Sequence, residues 1–514
     1  MYWCGELVPI LLLVLVILPV FVFLSRRNVT KENERKKRKL PPGPPGLPLI
    51  GNLHQLGEHP HRALWELSKL YGPLMHLQLC RQQAVVVSSG EIAEEILKTH
   101  DLTSSSRPDL ASWKRFSYNS SDVALSPYGA AWRELKKILV VKLLSTRKVE
   151  GFRRVREEEV ERTMNLISCL AAANEAVNLS ELAHSLSKSI TCRVAFGGRF
   201  DEGGPLQPKS KLHRILSETQ ALLAALYVAD YFPWAGWADK FTGLERRTVE
   251  NIRELDFFLQ EVIEAHANKS KMANDEEDIV DVLLRLQKED ISLTEDHVKG
   301  VLMNVLIGGT DTSSVTIEFA MAELVRNPSV MARAQEEVRS VVGEKGKIEE
   351  TDIPLLNYVR SVVKETLRLH PVVPLIPRET TGHMTINGFE IPPKTRVMVN
   401  VWAIGRDPAS WKRPDEFIPE RFIDNPVDFK GQDFQFIPFG AGRRICPGLS
   451  FGVTTVQLKL ANLLYAFNWE VPGGMGKESL SMEEASGITV HLKADLILRP
   501  TKYTNRVDRN YIEC

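Results

Sequence analysis

The chain has 514 residues, and 43% of them are apolar, which is enough to bury a sizeable core. Its 65 basic residues (Lys and Arg) balance its 65 acidic residues, so the net charge of zero gives no electrostatic reason to expect a nucleic-acid partner. The 6 cysteines include no C-x-x-C pair. This argues against a zinc or iron–sulfur cage, and so few cysteines in a long chain argue against a disulfide framework.

An almost wholly apolar segment, residues 7–24, lies near the start of the chain. Its length is close to the roughly 20 residues with which a helix crosses a bilayer. Basic residues follow the segment and none precedes it, which predicts a single-pass membrane anchor over residues 1–25 with the rest of the chain in the cytosol. The alternative, a cleaved signal peptide, would need a basic flank in front and a small-residue cleavage site behind, and both are missing.

Residues 26–46 are predicted to form a basic linker that ends in a Pro-rich hinge, PPGPPG. Consecutive prolines fix φ and favour a stiff, extended chain. The segment is therefore either an ordinary linker or a stiff hinge that orients the globular part of the chain against the membrane. Both interpretations place a boundary near residue 46 and leave residues 47–514 as one large domain.

That domain is predicted to be mainly helical with a minor sheet. Alternating apolar positions from Leu74 to Val87 predict strands, and the stretch from Thr385 to Val401 also has strand character. A long apolar segment, residues 298–326, predicts a buried central helix. Helical periodicity covers six further segments: residues 132–144, 149–170, 212–228, 247–267, 324–342 and 355–369.

The strongest chemical signal is the sequence FGAGRRICPG over residues 439–448, here called the cysteine loop. Gly440 and Gly442 allow the backbone to bend tightly and to approach a flat ligand. Pro447 suits the first turn of a helix predicted over residues 449–467. Cys446 therefore lies at a predicted helix N-terminus, where the dipole and free N–H groups favour a thiolate.

A thiolate that ligates haem iron pushes electron density onto the metal and favours O–O cleavage. Arg444 places a fixed positive charge where a haem propionate would lie. The alternative for a lone cysteine is a small buried hydrophobe. We adopt that interpretation for Cys80, Cys169 and Cys192, which lack the glycines, arginine and phenylalanine that accompany Cys446.

The cysteine loop resembles that of cytochrome P450 enzymes, F-x-x-G-x-R-x-C-x-G, at every fixed position. The resemblance implies the cytochrome P450 fold, haem b as cofactor and Cys446 as the axial ligand of the iron. It also implies that four other loop residues contact the haem: Phe439, Gly442, Arg444 and Gly448.

A second motif, GGTDTS over residues 308–313, lies in the middle of the predicted central helix. Gly308 and Gly309 inside a helix cost roughly 1 kcal/mol each relative to alanine, and an acid in an apolar helix adds a desolvation cost. Such local violations indicate a functional site. Thr312 can bond back to a carbonyl and open the helical hydrogen-bond ladder. Asp311 and Thr312 together can relay protons.

The alternative for this motif is a notch that lets helices pack closely. The motif resembles the oxygen-activating A/G-G-x-D/E-T-T/S helix of the cytochrome P450 family, with glycine at the first position. This resemblance implies that Gly308 and Gly309 lie beside the haem and that Asp311 and Thr312 are catalytic.

Glu365 and Arg368 by themselves are an ordinary i, i+3 helix pair. Their context, shortly before Pro377-Arg378 and the later segment PERF at residues 419–422, resembles the same family. The resemblance implies a buried ion network of Glu365, Arg368 and Arg421 with a structural role, in which loss of one member is costly.

Trp132 and Lys136 resemble the two residues of one helix that bind the haem propionates in this family. Arginine is usual at the second position, and Lys136 offers a point charge there instead of a planar guanidinium that can donate two hydrogen bonds. Arg378 resembles a further propionate ligand. Lys137, Lys142 and Arg443 form either a basic face for an acidic electron donor or a solvated run of charge. No G-x-G-x-x-G follows a strand, so the implied electron donor is a separate NADPH–cytochrome P450 reductase.

The hinge and the PERF segment resemble plant A-type members, close to the large family 71. The implied function is hydroxylation, with O₂, of a hydrophobic specialised metabolite such as a terpenoid, alkaloid or phenolic, at the endoplasmic reticulum membrane. Oxidative coupling, ring closure or aldoxime dehydration by the same fold stays open, and a non-enzymatic haem-thiolate sensor is a more remote alternative. The family layout implies a mainly apolar pocket that includes Asn304, Val372, Val373, Ile376 and Ile488.

Overall fold

The computed structural model describes residues 39–199, 211–268, 277–289, 292–474, 476–485 and 487–503. The predicted anchor and most of the predicted basic linker lie outside these residues. No helix within the described ranges is both long and apolar enough to cross a membrane. The chain divides into two compact units, one formed by the residues up to Pro108 together with Pro377–Asn400, the other by Asp109–Ile376 together with the residues from Val401 onward.

The first unit contains the main sheet. Strands Leu74–Leu79 and Gln82–Val87 pair antiparallel, which confirms the strands predicted there, and Gln82–Val87 pairs in parallel with Arg396–Asn400. Strand Leu375–Glu379 is the fourth strand of this sheet, next to Arg396–Asn400. The boundary between the two units falls within this strand. A hairpin joins Met384–Ile386 to Phe389–Ile391. The helices of this unit are Pro60–Tyr71, Gly90–Glu94 and Asp101–Ser104.

The second unit is mainly helical. Its helices are Ala111–Phe116, Ala130–Lys137, Thr146–Gly151, Arg153–Ala172, Leu179–Phe196, Lys211–Ala224, Val228–Tyr231, Leu244–Ala267, Ile279–Glu289, Glu295–Arg326, Pro328–Val342, Asn357–Leu369, Val401–Ile404 and Leu449–Ala466. Its strands form a three-stranded sheet (Val177–Asn178, Ile497–Lys502, Phe467–Glu470) and a pair (Glu484–Ala485, His491–Leu492). The predicted class, mainly helical with minor sheet, is confirmed.

The helix Glu295–Arg326, here called the central helix, positions the site. Thr294 and His297 form a capping box at its start, with the Thr294 hydroxyl accepting from the His297 N–H at 3.3 Å. It packs along Leu179–Phe196 and Leu449–Ala466, and most of its residues are buried. The predicted buried helix over residues 298–326 is therefore confirmed and begins one turn earlier.

Several predicted helix boundaries differ from those observed. The segment predicted as one helix over residues 149–170 breaks at Phe152. The helix predicted from residue 324 begins at Pro328, because proline disfavours helical backbone at the residue before it and so separates this helix from the central one. The segment 132–144 is α-helical to Lys137 and then continues as a π-helix over Ile138–Leu143.

Candidate active site

The cysteine loop is held in a tight bend by its own backbone. Gly440 (φ 71°) and Gly442 (φ 66°) adopt left-handed conformations that favour glycine. The N–H of Cys446 donates to the Phe439 carbonyl at 3.0 Å, which closes the loop. The next helix runs over Leu449–Ala466, which confirms the helix predicted after Pro447 to within one residue. The loop therefore presents Cys446 one turn ahead of a buried helix.

The Cys446 thiol forms no disulfide. Burial raises its pKa, while a hydrogen bond from the Gly448 N–H and the positive charge of Lys136 act in the opposite direction. A Cβ at Gly448 would lie 3.9 Å from the sulfur, in ordinary van der Waals contact with it. The predicted N–H donor is present, but burial outweighs it and favours the protonated thiol, whereas a cation bound at the sulfur would favour the thiolate.

Trp132 and Lys136 lie beside the cysteine loop, next to Arg444 of the loop itself. The Trp132 indole N–H donates to the Val123 carbonyl at 2.9 Å, and Arg444 donates to the carbonyls of Val123 (3.2 Å) and Ser126 (2.6 Å). Lys136 donates through Nζ to the carbonyl that precedes Cys446 at 2.5 Å. Three side chains predicted to bind propionates thus lie in one basic cluster near the cysteine.

The segment that receives these donors, residues 122–126, is fixed by Asp122 and Asn304. The buried Asp122 carboxylate accepts from the N–H of Ser126 at 2.9 Å and from its hydroxyl at 2.6 Å. Asn304, on the central helix, accepts from the N–H groups of Val123 (2.9 Å) and Ala124 (3.0 Å) and donates to Asp122 (2.9 Å). Asn304 was predicted to line the substrate pocket, but its polar atoms are engaged in holding this segment. Asp122 was not predicted, although the Ser-Asp pair there is a turn signal.

The two glycines of the central helix face different surroundings. A Cβ at Gly308 would meet nothing within 4 Å, so this position opens onto free space. A Cβ at Gly309 would lie 2.8 Å from the Thr191 hydroxyl, on helix Leu179–Phe196. Gly308 therefore makes room beside the helix, whereas Gly309 has the packing role that was the alternative for this motif.

Asp311 and Thr312 come next on the same helix. The Thr312 hydroxyl donates back to the Gly308 carbonyl at 2.7 Å, as predicted, but the helix runs continuously through this segment rather than opening. Burial raises the pKa of Asp311 to about 6, against a hydrogen bond from Gln220 and the positive charge of His491. An acid with this pKa can hold and release a proton near neutral pH.

The structure brings Glu365, Arg368 and Arg421 together. Glu365 and Arg368 are fully buried and share two hydrogen bonds of 2.7 and 2.8 Å, and Arg421 Nε lies 2.9 Å from the same carboxylate. Arg368 also donates to the carbonyls of Gly405 and Pro414, both at 2.6 Å. The network therefore ties helix Asn357–Leu369 to the segment ahead of the cysteine loop.

The remaining predicted residues lie in two places. Val372, Val373, Ile376 and Ile488 are buried or half-buried and apolar, and the Val490 N–H donates to the Val372 carbonyl at 2.9 Å, which holds their two segments together. Arg378 belongs to the first unit, where it is fully buried and burial lowers its pKa to about 9.

These residues fit a cysteine-ligated haem. A free, half-buried thiol in the cysteine loop, a basic cluster beside it, and open space at Gly308 are the features that such a group requires. The fold and the cysteine loop thus define a haem-thiolate class of protein.

Residues 41–497 match the cytochrome P450 family, and the chain belongs to it. The chain is similar to cytochrome P450 71A9 of Glycine max, with 49% identity over 498 residues, covering 94% of this chain and 99% of that protein. It is 51% identical to cytochrome P450 71A1 of Persea americana over 457 residues, covering 87% and 90%. It is 49% identical to strychnine-11-hydroxylase of Strychnos nux-vomica over 484 residues, covering 93% and 94%.

A solved zebra fish cytochrome P450 structure with abiraterone shows the same fold, with a TM-score of 0.74 and 24% identity over 87% of this chain and all of that one. The predicted family is confirmed. The protein is a monooxygenase of the plant 71 type that uses cysteine-ligated haem iron, O₂, a redox partner and a small-molecule substrate.

Proposed function

We propose that the protein hydroxylates a hydrophobic plant specialised metabolite, such as a terpenoid, alkaloid or phenolic, with Cys446 as the axial ligand of haem b. The observation that carries this proposal is the free, half-buried Cys446 thiol beside the Gly448 N–H, just ahead of a buried helix. When bound, the haem supplies the oxygen chemistry, which an axial thiolate favours. The name of the Strychnos relative, a hydroxylase for the alkaloid strychnine, supports both the reaction type and the substrate class.

Asp311 and Thr312 provide the proton chemistry of this proposal. With its pKa raised to about 6, the Asp311 carboxyl can take up and release a proton near neutral pH, and the adjacent Thr312 hydroxyl can pass the proton on by exchanging its bond to the Gly308 carbonyl. Trp132, Lys136 and Arg444, which lie together at the cysteine loop, would hold the haem propionates, and Gly308 leaves space beside the central helix.

The substrate is hydrophobic because the pocket residues offer few polar atoms. Val372, Val373, Ile376 and Ile488 are apolar, and the amide of Asn304 is engaged with residues 122–124. Such a lining binds apolar groups by removing their surface from water, and the shape of the pocket then determines how the substrate is oriented.

Electrons arrive, in this proposal, from NADPH–cytochrome P450 reductase through a basic face. An open hollow of about 320 Å³ is lined by Val140, Val141 and four cationic side chains: Arg133, Lys136, Lys137 and Arg443. Lys142 does not line it. Lys136 also contacts the loop residue before Cys446, so an acidic donor docked here would lie close to the metal ligand. Reversing the charge at Lys137 should raise the KM for reductase and make it less sensitive to salt.

Residues 1–25 anchor this enzyme in the endoplasmic reticulum membrane with a single span. Residues 26–46 form the linker and hinge, and residues 47–514 work as one haem-binding domain on the cytosolic side. The apolar segment 7–24 and the basic residues after it support this arrangement.

The decisive experiment is the absorption spectrum of the reduced, carbon-monoxide-bound protein. We expect a far-red-shifted Soret band in the wild type and in Cys169→Ala, an exposed cysteine that serves as control, and loss of that band in Cys446→Ala. An unshifted Soret band in the wild type, or a shifted band that survives in Cys446→Ala, contradicts the proposal. A panel of apolar metabolites, screened for binding-induced spectral shifts, then identifies the substrate class.

A further inference from the structure

Ile488 belongs to a short hairpin of the second unit. The antiparallel strands Glu484–Ala485 and His491–Leu492 form this hairpin, here called the C-terminal hairpin, and Ile488 lies between them in the chain. Two such short strands are at best marginally stable by themselves in water. The position of Ile488 therefore depends on the contacts that hold the hairpin to the rest of the unit.

Two backbone N–H groups of the C-terminal hairpin donate to acceptors outside it. Val490 donates to the Val372 carbonyl at 2.9 Å, and Leu492 donates to the Glu318 carboxylate at 3.1 Å. The first acceptor is a main-chain atom, whereas the second is a side chain of the central helix. Of these two bonds, the one to Glu318 is therefore the bond that a substitution can remove.

The Glu318 carboxyl is buried, and its cost is explained by the groups that it holds. It also accepts a hydrogen bond from the Ser180 hydroxyl, which in turn accepts from the Leu496 N–H at 2.9 Å. Burial raises the pKa of Glu318 and so disfavours its charged form, although the bonds from Ser180 and Leu492 act in the opposite direction. An apolar residue would pack here at a lower cost, but it would leave these donors without an acceptor.

The central helix connects Glu318 to the residues of the proposed proton chemistry. It runs without a break from Thr312 to Glu318, a distance of roughly 9 Å along its axis at about 1.5 Å per residue. One rigid element thus carries both Thr312 and the acceptor for the hairpin. Any displacement of the hairpin from Glu318 would move Ile488 relative to Thr312.

We propose that Glu318 is a positioning residue of the substrate pocket: it holds the C-terminal hairpin to the central helix and thereby keeps Ile488 against a ligand bound at the haem. The inference rests on the proposed function, since it requires Ile488 to line the pocket. It assigns part of the selection among ligands to a buried carboxyl that acts through another residue.

The test uses two azoles that coordinate haem iron, imidazole and 4-phenylimidazole, as probes of the full-length holoenzyme. Binding of either shifts the Soret band, so each Kd is measured without turnover. We expect Glu318→Leu to bind 4-phenylimidazole about tenfold more weakly and imidazole within about twofold of the wild type, because the larger probe depends on the apolar lining. Glu318→Gln keeps an oxygen that can accept from the Leu492 N–H, so it should bind both probes like the wild type.

The matched control is Asp278→Leu. Asp278 is a carboxyl with the same exposure as Glu318, 6%, and it accepts from the Asp281 N–H at 2.9 Å in a different part of the fold. Its loss should lower the Tm and leave both Kd values unchanged. Wild-type affinity for 4-phenylimidazole in Glu318→Leu would overturn the inference. An equal loss of affinity in Asp278→Leu would also overturn it, because the effect would then come from reduced stability.

A double-mutant cycle shows whether Glu318 acts through Ile488. Ile488→Ala should weaken 4-phenylimidazole, and Glu318→Leu should add little to this effect in the double variant. Full additivity of the two effects would contradict the inference. If Glu318→Leu fails to bind haem, Glu318→Asp takes its place, because its shorter side chain withdraws the carboxylate from the Leu492 N–H. Unchanged affinity for 4-phenylimidazole in Glu318→Asp then overturns the inference.

Ile488→Ala by itself separates this inference from the proposed function. If it weakens 4-phenylimidazole and the substitutions of Glu318 by Leu and Asp do not, Ile488 lines the pocket and only the role of Glu318 is wrong. If Ile488→Ala has no effect, the proposed pocket lining is wrong, and the role of Glu318 falls with it.

Discussion

The guanidinium of Arg444 lies 4.0 Å from the centre of the Trp132 ring, and both side chains donate to the carbonyl of Val123. An arginine from the cysteine loop and a tryptophan from helix Ala130–Lys137 are thus held by a single backbone atom. Arginine, unlike lysine, has a planar guanidinium group that can stack on an aromatic ring and donate two hydrogen bonds at the same time.

Arg444→Lys should therefore weaken haem retention without unfolding the protein. Lysine loses the stack on Trp132 and one of the two carbonyl contacts, at a cost of about 1–3 kcal/mol. Haem content per polypeptide after gel filtration measures the effect. The neighbouring Arg443→Lys is the control because Arg443 is exposed, and equal haem loss in the two variants would contradict the prediction.

Glu365→Gln should destabilise the fold by about 3–5 kcal/mol, because it leaves Arg368 as a buried charge without its carboxylate. The control is Glu66→Gln, which breaks an i, i+3 pair of the same spacing, with Lys69, at an exposed position. That variant should change stability by less than about 0.5 kcal/mol. Thermal unfolding of the holoenzyme compares them, and similar shifts in Tm would show that burial of the network does not matter.

Asp311 should make stability depend on pH. Its folded-state pKa of about 6 lies above the usual value of 3.8, so between these values the native state holds a proton that the unfolded chain has lost. Stability therefore falls as the pH rises through this window, and the full cost is present above about pH 6. Asp311→Asn should be more stable than the wild type at pH 7.5 by about 1–3 kcal/mol and equally stable near pH 3.5.

Denaturant unfolding at several pH values checks this prediction. Glu261→Gln, at an exposed position, is the control and should follow the wild-type curve. A stability difference between Asp311→Asn and the wild type that is the same at every pH would mean that the effect comes from packing rather than from protonation.

Gly308→Ala and Gly309→Ala form a matched pair. The new methyl at position 309 would press on Thr191 and should cost about 1–3 kcal/mol, whereas at position 308 it meets no other residue and should stabilise the helix of the haem-free protein by about 1 kcal/mol. Tm values separate the two variants. A destabilised Gly308→Ala would show that the space beside this position is filled in the holoenzyme.

The parts of the site that could be predicted from the sequence are those that depend on residues close together in the chain. The cysteine loop needs glycine at two left-handed positions, and the GGTDT segment violates helix preferences, so both are visible without a structure. The central helix was predictable because its apolar residues are nearly continuous. Trp132 and Arg444 were predicted to bind the same group, and they lie together.

The features that could not be predicted depend on contacts between distant segments. Helix Leu179–Phe196, which packs against the central helix, was not predicted, because the buried polar residues Ser187, Lys188 and Ser189 interrupt its apolar periodicity. The hydrogen bonds of Asn304 could not be predicted because its partners, residues 122–124, lie about 180 positions away in the chain. Gly309 was assigned to the haem because nothing local identifies Thr191 as its neighbour.

The bond between Asn304 and residues 122–124 has a consequence for how this enzyme can change. The Asn304 side-chain oxygen accepts hydrogen bonds from the main-chain N–H groups of Val123 and Ala124. Trp132 and Arg444 donate to main-chain carbonyls of the same segment. None of these bonds involves the side chains of residues 123 and 124. The Val123 side chain is buried in the core, whereas that of Ala124 is exposed. Substitutions at position 124 can therefore reshape the local surface while the backbone around the cysteine loop keeps its form.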